Sequence, residues 1–342
     1  MKKIFFWGLI FGLFFLTGCG KYTEKSIVKD INKKFNSLTG YHIEGSMEIY
    51  NGDDVYKYDV KSSYENDNYR VSLTNKSNDH EQIILRNADG VYVLTPSLNK
   101  SFKFQSKWPE NTSLVYILKS IQEDINNDKK IKLEEKHGNY ILTTKISNTN
   151  NKNLVYQKIY FDKNLNITKI EVFDELGNKQ IKMVYDSIDN KASFNNKYFL
   201  VSENMKSSNV ENKKENQNDE LKNENKETIN LEESIYPMYL PSGTYLSDEQ
   251  TVSKDDGDRV ILTFSGESPF IIVEEKANKA EEMEIIPVYG EPTMFTDSVG
   301  ALSDSSINFI SNGVEYYIAS DSLTKQEIMQ VAESINTLPV MK

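Results

Sequence analysis

Alternation of apolar and polar residues runs through most of the chain between positions 40 and 190. Tyr41, Ile43, Met47 and Ile49 share one side of a period-two segment, and His42, Glu44, Ser46 and Glu48 take the other. Tyr56, Tyr58, Val60 and Tyr64 alternate with Lys57, Asp59, Lys61 and Ser63, and Tyr69, Val71 and Leu73 with Arg70, Ser72 and Thr74. A repeat of two residues is that of a half-buried strand. The same reading predicts strands near 81–86, 90–95, 100–105, 131–136, 139–147, 153–162, 166–174 and 178–188. Turn signals such as Asn51-Gly52-Asp53, Asp89-Gly90, His137-Gly138-Asn139, Asp162-Lys163-Asn164 and Gly177-Asn178 separate several of them.

Two stretches break to helical spacing. Ile27, Val28, Ile31, Phe35 and Leu38 predict a helix over 24–38. Leu114, Ile117, Leu118, Ile121 and Ile125 predict a second, with Asn111 or Thr112 as its cap after Trp108-Pro109. About eleven antiparallel strands are too many to stay flat. A strongly curved sheet with helices against its concave side is the expected solution.

Several strands also carry aromatics opposite their core face: Tyr92 between Val91 and Val93, and Tyr156 and Tyr160 beside Val155 and Ile159. A sheet with one solvated face does not do this. Either the helices cover the second face, or it forms a partly apolar groove for a ligand or partner. The residues assigned to that groove are Leu114, Ile117, Leu118, Ile121, Tyr92, Tyr156 and Tyr160.

Beyond the strands the pattern fades. Residues 203–230 have no aromatic and only Met205, Val210, Leu221 and Ile229 as large apolar residues, so they read as a flexible polar linker. From 231 a second small α+β module begins. Its strands are predicted near 258–265, 269–276 and 282–287, followed by a hairpin, 305–311 and 314–320, turning at Asn312-Gly313. The last helix opens with Thr324 and Glu327 as a capping box and carries Ile328, Val331, Ala332 and Ile335 as its stripe.

The N-terminus changes the picture most. After Met1-Lys2-Lys3, residues 4–16 are an uncharged apolar run, too short for a spanning helix of roughly 20 residues and suited to a signal peptide. Leu16-Thr17-Gly18-Cys19 follows, and Cys19 is the only cysteine in the 342 residues. The sequence resembles a bacterial lipobox, which implies cleavage after residue 18 and diacylglycerol on Cys19. The expected location is the outer face of the cell membrane, and two acyl chains on one site suffice for stable anchoring. A single thiol excludes a disulfide framework. The expected organisation is therefore 1–18 signal peptide, 19–202 first domain, 203–230 linker and 231–342 acidic domain.

Charge is unevenly shared. Of 40 Lys+Arg and 51 Asp+Glu, residues 231–342 hold 6 and 20, a net of −14, while residues 20–202 hold 27 and 24, a net of +3. No basic footprint for nucleic acid exists. No catalytic or cofactor-binding set is assembled either. His42, His80 and His137 have no metal-ligand spacing. Asp255-Asp256-Gly257-Asp258 lacks the layout of a calcium loop and reads as a turn. Glu274-Glu275, and Glu281, Glu282 and Glu284, read as solvated faces. The expectation is a protein that is not an enzyme, with no metal and no cofactor.

A lipobox, an N-terminal helix and a long meander broken by one helix, with Gly90-Val91-Tyr92-Val93-Leu94-Thr95-Pro96, Leu98-Asn99-Lys100-Ser101-Phe102 and Trp108-Pro109, resemble the LolA/LppX-like lipoproteins. The similarity is strongest to their Gram-positive branch of spore-formers, the YdcC and GerS group, and covers about 24–202. Residues 231–342, with Tyr239-Leu240-Pro241-Ser242-Gly243 and Val288-Tyr289-Gly290, resemble a domain appended in the YdcC-like members. The resemblance implies an α+β fold: a strongly curved antiparallel unclosed β-barrel, or half-barrel, with helices on its concave side, plus the small C-terminal α+β domain. It further implies a membrane-anchored binding protein of sporulation or germination. Its partner would be a cortex-modifying N-acetylmuramoyl-L-alanine amidase or another envelope protein. The alternative is a carrier or sensor of lipids or other hydrophobic ligands.

Overall fold

The computed structural model describes residues 22–110, 112–149, 151–206, 234–254, 257–295 and 297–335. The signal peptide, Cys19, linker residues 207–230 and Asp255-Asp256 lie outside the described residues.

Helix α1 (Glu24–Asn36) begins at Thr23, whose side chain accepts from the Ser26 amide in a capping box. A meander follows: β1 (Gly40–Asn51), β2 (Asp54–Glu65), β3 (Asn68–Asn75), β4 (Glu81–Asn87), β5 (Gly90–Thr95) and β6 (Lys100–Phe104). Helix α2 (Leu118–Asn127) interrupts it. The meander then resumes as β7 (Lys132–Lys136), β8 (Asn139–Lys145), β9 (Tyr156–Phe161), β10 (Ile167–Phe173) and β11 (Lys179–Asp189). β11 returns to pair with β1, so the first and second runs join into one sheet whose outer edges never meet. This is the unclosed half-barrel.

Its curvature has local causes. Register slips occur at Glu44/Gly45 in β1, between Val172 and Phe173, and between Ile167 and Lys169, and each such irregularity bends and twists a strand. Gly45 is obligatory at the first of them, because a Cβ there would stand 2.2 Å from the Val184 carbonyl oxygen.

Helices α1 and α2 fill the concave side. Ile27, Ile31 and Phe35 of α1 join Ile121 and Ile125 of α2, Trp108 and the inward residues Ile43, Met47, Ile159 and Phe161 in a single core. Amides stitch the two helices together: Asn32 donates to Asn126 at 2.7 Å, and Gln122 donates to Asn32 and Asn36 at 2.8 Å. Part of the convex side is also dry. Ile83, Leu85, Tyr92 and Leu94 are covered by Phe194, Tyr198, Phe199 and Met205 around a short helix, α3 (Val201–Asn204).

A second sheet contains β12 (Thr244–Lys254), β13 (Gly257–Gly266), β14 (Phe270–Lys276), β16 (Glu291–Phe295), β17 (Ser298–Leu302), β18 (Ser306–Ser311) and β19 (Val314–Ala319). Helix α4 (Lys325–Glu333), with its Thr324–Glu327 capping box, packs on one face against Ile307, Phe309, Tyr316 and Ile318. The strand predicted near 282–287 does not belong to this sheet. As β15 (Glu284–Val288) it crosses over and pairs in parallel with β6, closing that edge of the half-barrel sheet. β12, β16 and β17 were not predicted; β12 is exposed along almost its whole length, so no burial pattern marks it.

The two sheets share a core: Met294, Val299, Ala301 and Ile310 pack with the half-barrel interior. Buried Gln82 of β4 pairs with the backbone of Val299, donating to its oxygen at 3.2 Å and accepting from its amide at 2.8 Å. Lys100 and Glu315 add an ion pair at 2.8 Å.

Candidate functional site: the cleft between the two sheets

The predicted helix from Leu114 begins later than its spacing suggests. Residues 114–117 form an irregular segment and α2 starts at Leu118, with Ile117 as an N-cap that has no side-chain bond to give. The segment is held from the sides instead. Ser120 Oγ accepts from the Leu114 amide at 2.7 Å and donates to the Thr112 carbonyl, and the Tyr185 hydroxyl donates to the Val115 carbonyl.

Beneath this segment a carboxylate is buried. Asp124 lies in the apolar stripe of α2, one turn from Ile121, and is 2% exposed. It accepts from Ser113 Oγ and the Ser147 amide at 2.8 Å and from Gln157 Nε2 at 2.7 Å. Burial raises its pKa, and the bonds from Ser147, Ser113 and Gln157 oppose the rise. The network ties α2 to β9 and to the loop after β8.

Above it, between the end of the half-barrel and the second sheet, lies a cleft of about 160 Å3. Its apolar wall includes Met47, Ile49, Leu114, Val172 and Ile181, its far side comes from Pro292 to Phe295 of β16, and its polar rim holds Asn51, Asn151, Asn153, Gln180 and Glu333. This volume is below the ~300 Å3 at which pockets for drug-sized molecules begin. Its enclosed volume is that of a small ligand.

Of the seven residues assigned to a groove, only Leu114 lines this cleft. Ile117, Leu118 and Ile121 are core residues, at most 3% exposed, packed under the helix and not open to it. Tyr92, Tyr156 and Tyr160 are on the opposite, convex face, which strand alternation requires once Val91, Val93 and Ile159 face inward. Tyr92 belongs to the cluster around Phe199. Tyr156 stacks on Phe173 at 5.0 Å, and Tyr160 donates to Glu171 at 2.7 Å with Lys169 Nζ 3.9 Å above its ring. The concave and convex residues therefore form no common groove.

One carboxylate pair also departs from its sequence reading. Glu274 is wholly buried in the second sheet, not part of a solvated face. Its Oε2 accepts from the Ile235 amide at 3.0 Å, while among the described residues Oε1 and the nearby Tyr316 hydroxyl have no hydrogen-bond partner. Burial pushes its pKa up to about 7. Its neighbour Glu275 is ordinary, paired with Lys254 and Arg259.

Among the described residues no group of three or more His, Cys, Asp or Glu side chains is placed to hold a metal, and no helix is long and apolar enough to cross a membrane.

Residues 1–199 match the model of the family described as sporulation protein YdcC-like. The sporulation protein YdcC of Bacillus subtilis (strain 168) is 34% identical over 322 residues, 94% of this chain and 92% of its own length. Among solved structures, a chain of the Pseudomonas aeruginosa MucA/MucB complex aligns at 10% identity over 90% of this chain and 98% of its own, with a TM-score of 0.30. A LolA superfamily protein from Nitrosomonas europaea aligns at 14% identity over 54% of this chain and all of its own, also at 0.30.

Proposed function

The chain belongs to the sporulation protein YdcC-like family, and from that membership we propose that it is a non-catalytic binding protein of sporulation or germination. It is exported, held at the outer face of the membrane by lipid on Cys19, and binds an envelope protein. The partner favoured is a cortex-modifying N-acetylmuramoyl-L-alanine amidase, which it holds and activates.

One observation carries this reading. The half-barrel is plugged by its own helices, whereas edge strand β12 and the segment leading into it leave large apolar side chains in water. Met238 is 80% and Tyr245 60% exposed, and Tyr236, Leu246 and Val252 add to them. Exposed apolar side chains gathered in one region mark surfaces that bind other proteins. Among the described residues β12 also pairs on one side only, with β13, which leaves its other backbone edge free to take an added strand.

The test is recovery of the full, tagged chain from sporulating cells, with partners identified by mass spectrometry. The amidase or another envelope protein should be retained, and a Tyr245→Asp, Val252→Asp chain of unchanged melting temperature should lose it. Absence of any envelope or cortex protein would overturn the proposal.

A further inference from the structure

Glu333 closes one corner of the cleft from the last turn of α4. Its carboxylate has no hydrogen bond and no ion pair among the described residues, although its backbone oxygen accepts from Asn51 Nδ2 at 3.3 Å. The other carboxylate in the cleft, Asp124, already accepts three hydrogen bonds. Among the described residues no Lys, Arg or His lines the cavity. Glu333 also stands where the helix backbone carries its partial negative charge, which favours a cation. A desolvated carboxylate without a counter-charge is costly, and burial alone pushes this one up to about 7.

The space around it is shaped for more than a bare ion. Asn151, Asn153 and Gln180 place side-chain amides on its rim, and Met47, Leu114 and Met294 supply apolar walls. The 160 Å3 volume is several times the ~10–15 Å3 that one water needs by a comparable measure, room for a small organic group.

We propose that the cleft binds a small primary ammonium ion bearing a short apolar group, with the ammonium on the Glu333 carboxylate and the apolar group against Met47, Leu114 and Met294. The inference is independent of the partner surface on β12 and stands if that surface proves inert.

Isopentylammonium is the probe, titrated into the full chain by calorimetry and ligand-observed NMR, with isopentanol and isovalerate as neutral and anionic isosteres. Saturable binding of the ammonium is expected, with each isostere about tenfold weaker or worse. Glu333→Gln should weaken the ammonium by about tenfold and leave isopentanol unchanged. Met294→Trp, which fills the cleft and keeps the charge, should abolish binding of every probe. Absence of saturable binding, equal affinity for the three probes, or ammonium affinity unaltered in Glu333→Gln would overturn the assignment.

Discussion

Replacing Glu274 by Gln should make the second sheet more stable in alkaline solution and leave it unchanged in acid. The side chain is wholly buried, and among the described residues its Oε1 has no hydrogen-bond partner to compensate the lost water. Burial is the main reason its pKa rises from 4.5 to about 7, the Ile235 amide opposing and the Glu249 charge adding to it. The difference is worth about 3 kcal/mol. A carboxyl whose pKa is higher in the folded than in the unfolded chain favours folding while protonated. Its contribution is complete below 4.5 and is lost as the pH rises through about 7. Gln keeps the shape and the acceptor for Ile235 but never ionises. The assay is urea denaturation followed by circular dichroism at about pH 5 and about pH 8, with amide exchange in β14 and β19 to locate the change. The wild-type chain should lose roughly 1–3 kcal/mol more than Glu274→Gln between the two conditions. Glu171 does not confuse the comparison. Burial would raise its pKa, but bonds from Lys179 and Tyr160 and the charge of Lys169 lower it to about 2, so its contribution is lost only on strong acidification. Parallel pH profiles for the two chains would refute the account.

Other outcomes follow from the packing. Ile121→Ala, at a side chain 1% exposed in the α1–α2 core, should cost about 2–5 kcal/mol in urea denaturation. Thr324→Ala removes the cap of α4 and should cost about 1 kcal/mol by the same measure. Gly290 turns the chain from β15 back to β16 at φ +100°, and an added Cβ would lie 2.2 Å from the Leu302 oxygen. Gly290→Ala should therefore detach β15, seen as faster amide exchange at the β15–β6 pairing with the rest of the half-barrel protected. Because the side chains of α1 and α2 fill the half-barrel interior, native mass spectrometry of the delipidated chain should show no retained lipid.

Much of this architecture was legible in short-range pattern. All eleven strands of the meander, the α1 stripe and the α4 capping box follow from spacing alone, since period and caps are properties of neighbouring residues. The site was less legible. Asp124 left a readable trace, a carboxylate inside the apolar stripe of α2. Glu274 left a trace of the same kind, in strand register with Phe270 and Ile272 on the buried face of β14, but the pattern does not say that a second layer covers that face; Glu333, at a helix end, left none. The placement of Tyr92, Tyr156 and Tyr160 failed for a related reason: alternation identifies two faces of a strand without saying what lies over each.

The sequence by itself determined most of the elements, the curvature implied by their number, and membership in a sporulation family. Which surfaces meet was decided only in three dimensions: β15 leaving its own module to pair with β6, Phe199 and Met205 shielding the convex face, and Glu333 brought to Leu114 across more than two hundred residues. Pattern along a chain reports each residue's preference for water or core. Long-range pairing depends on which complementary edges and faces remain uncovered after the local elements have formed, and that is a property of the assembled fold.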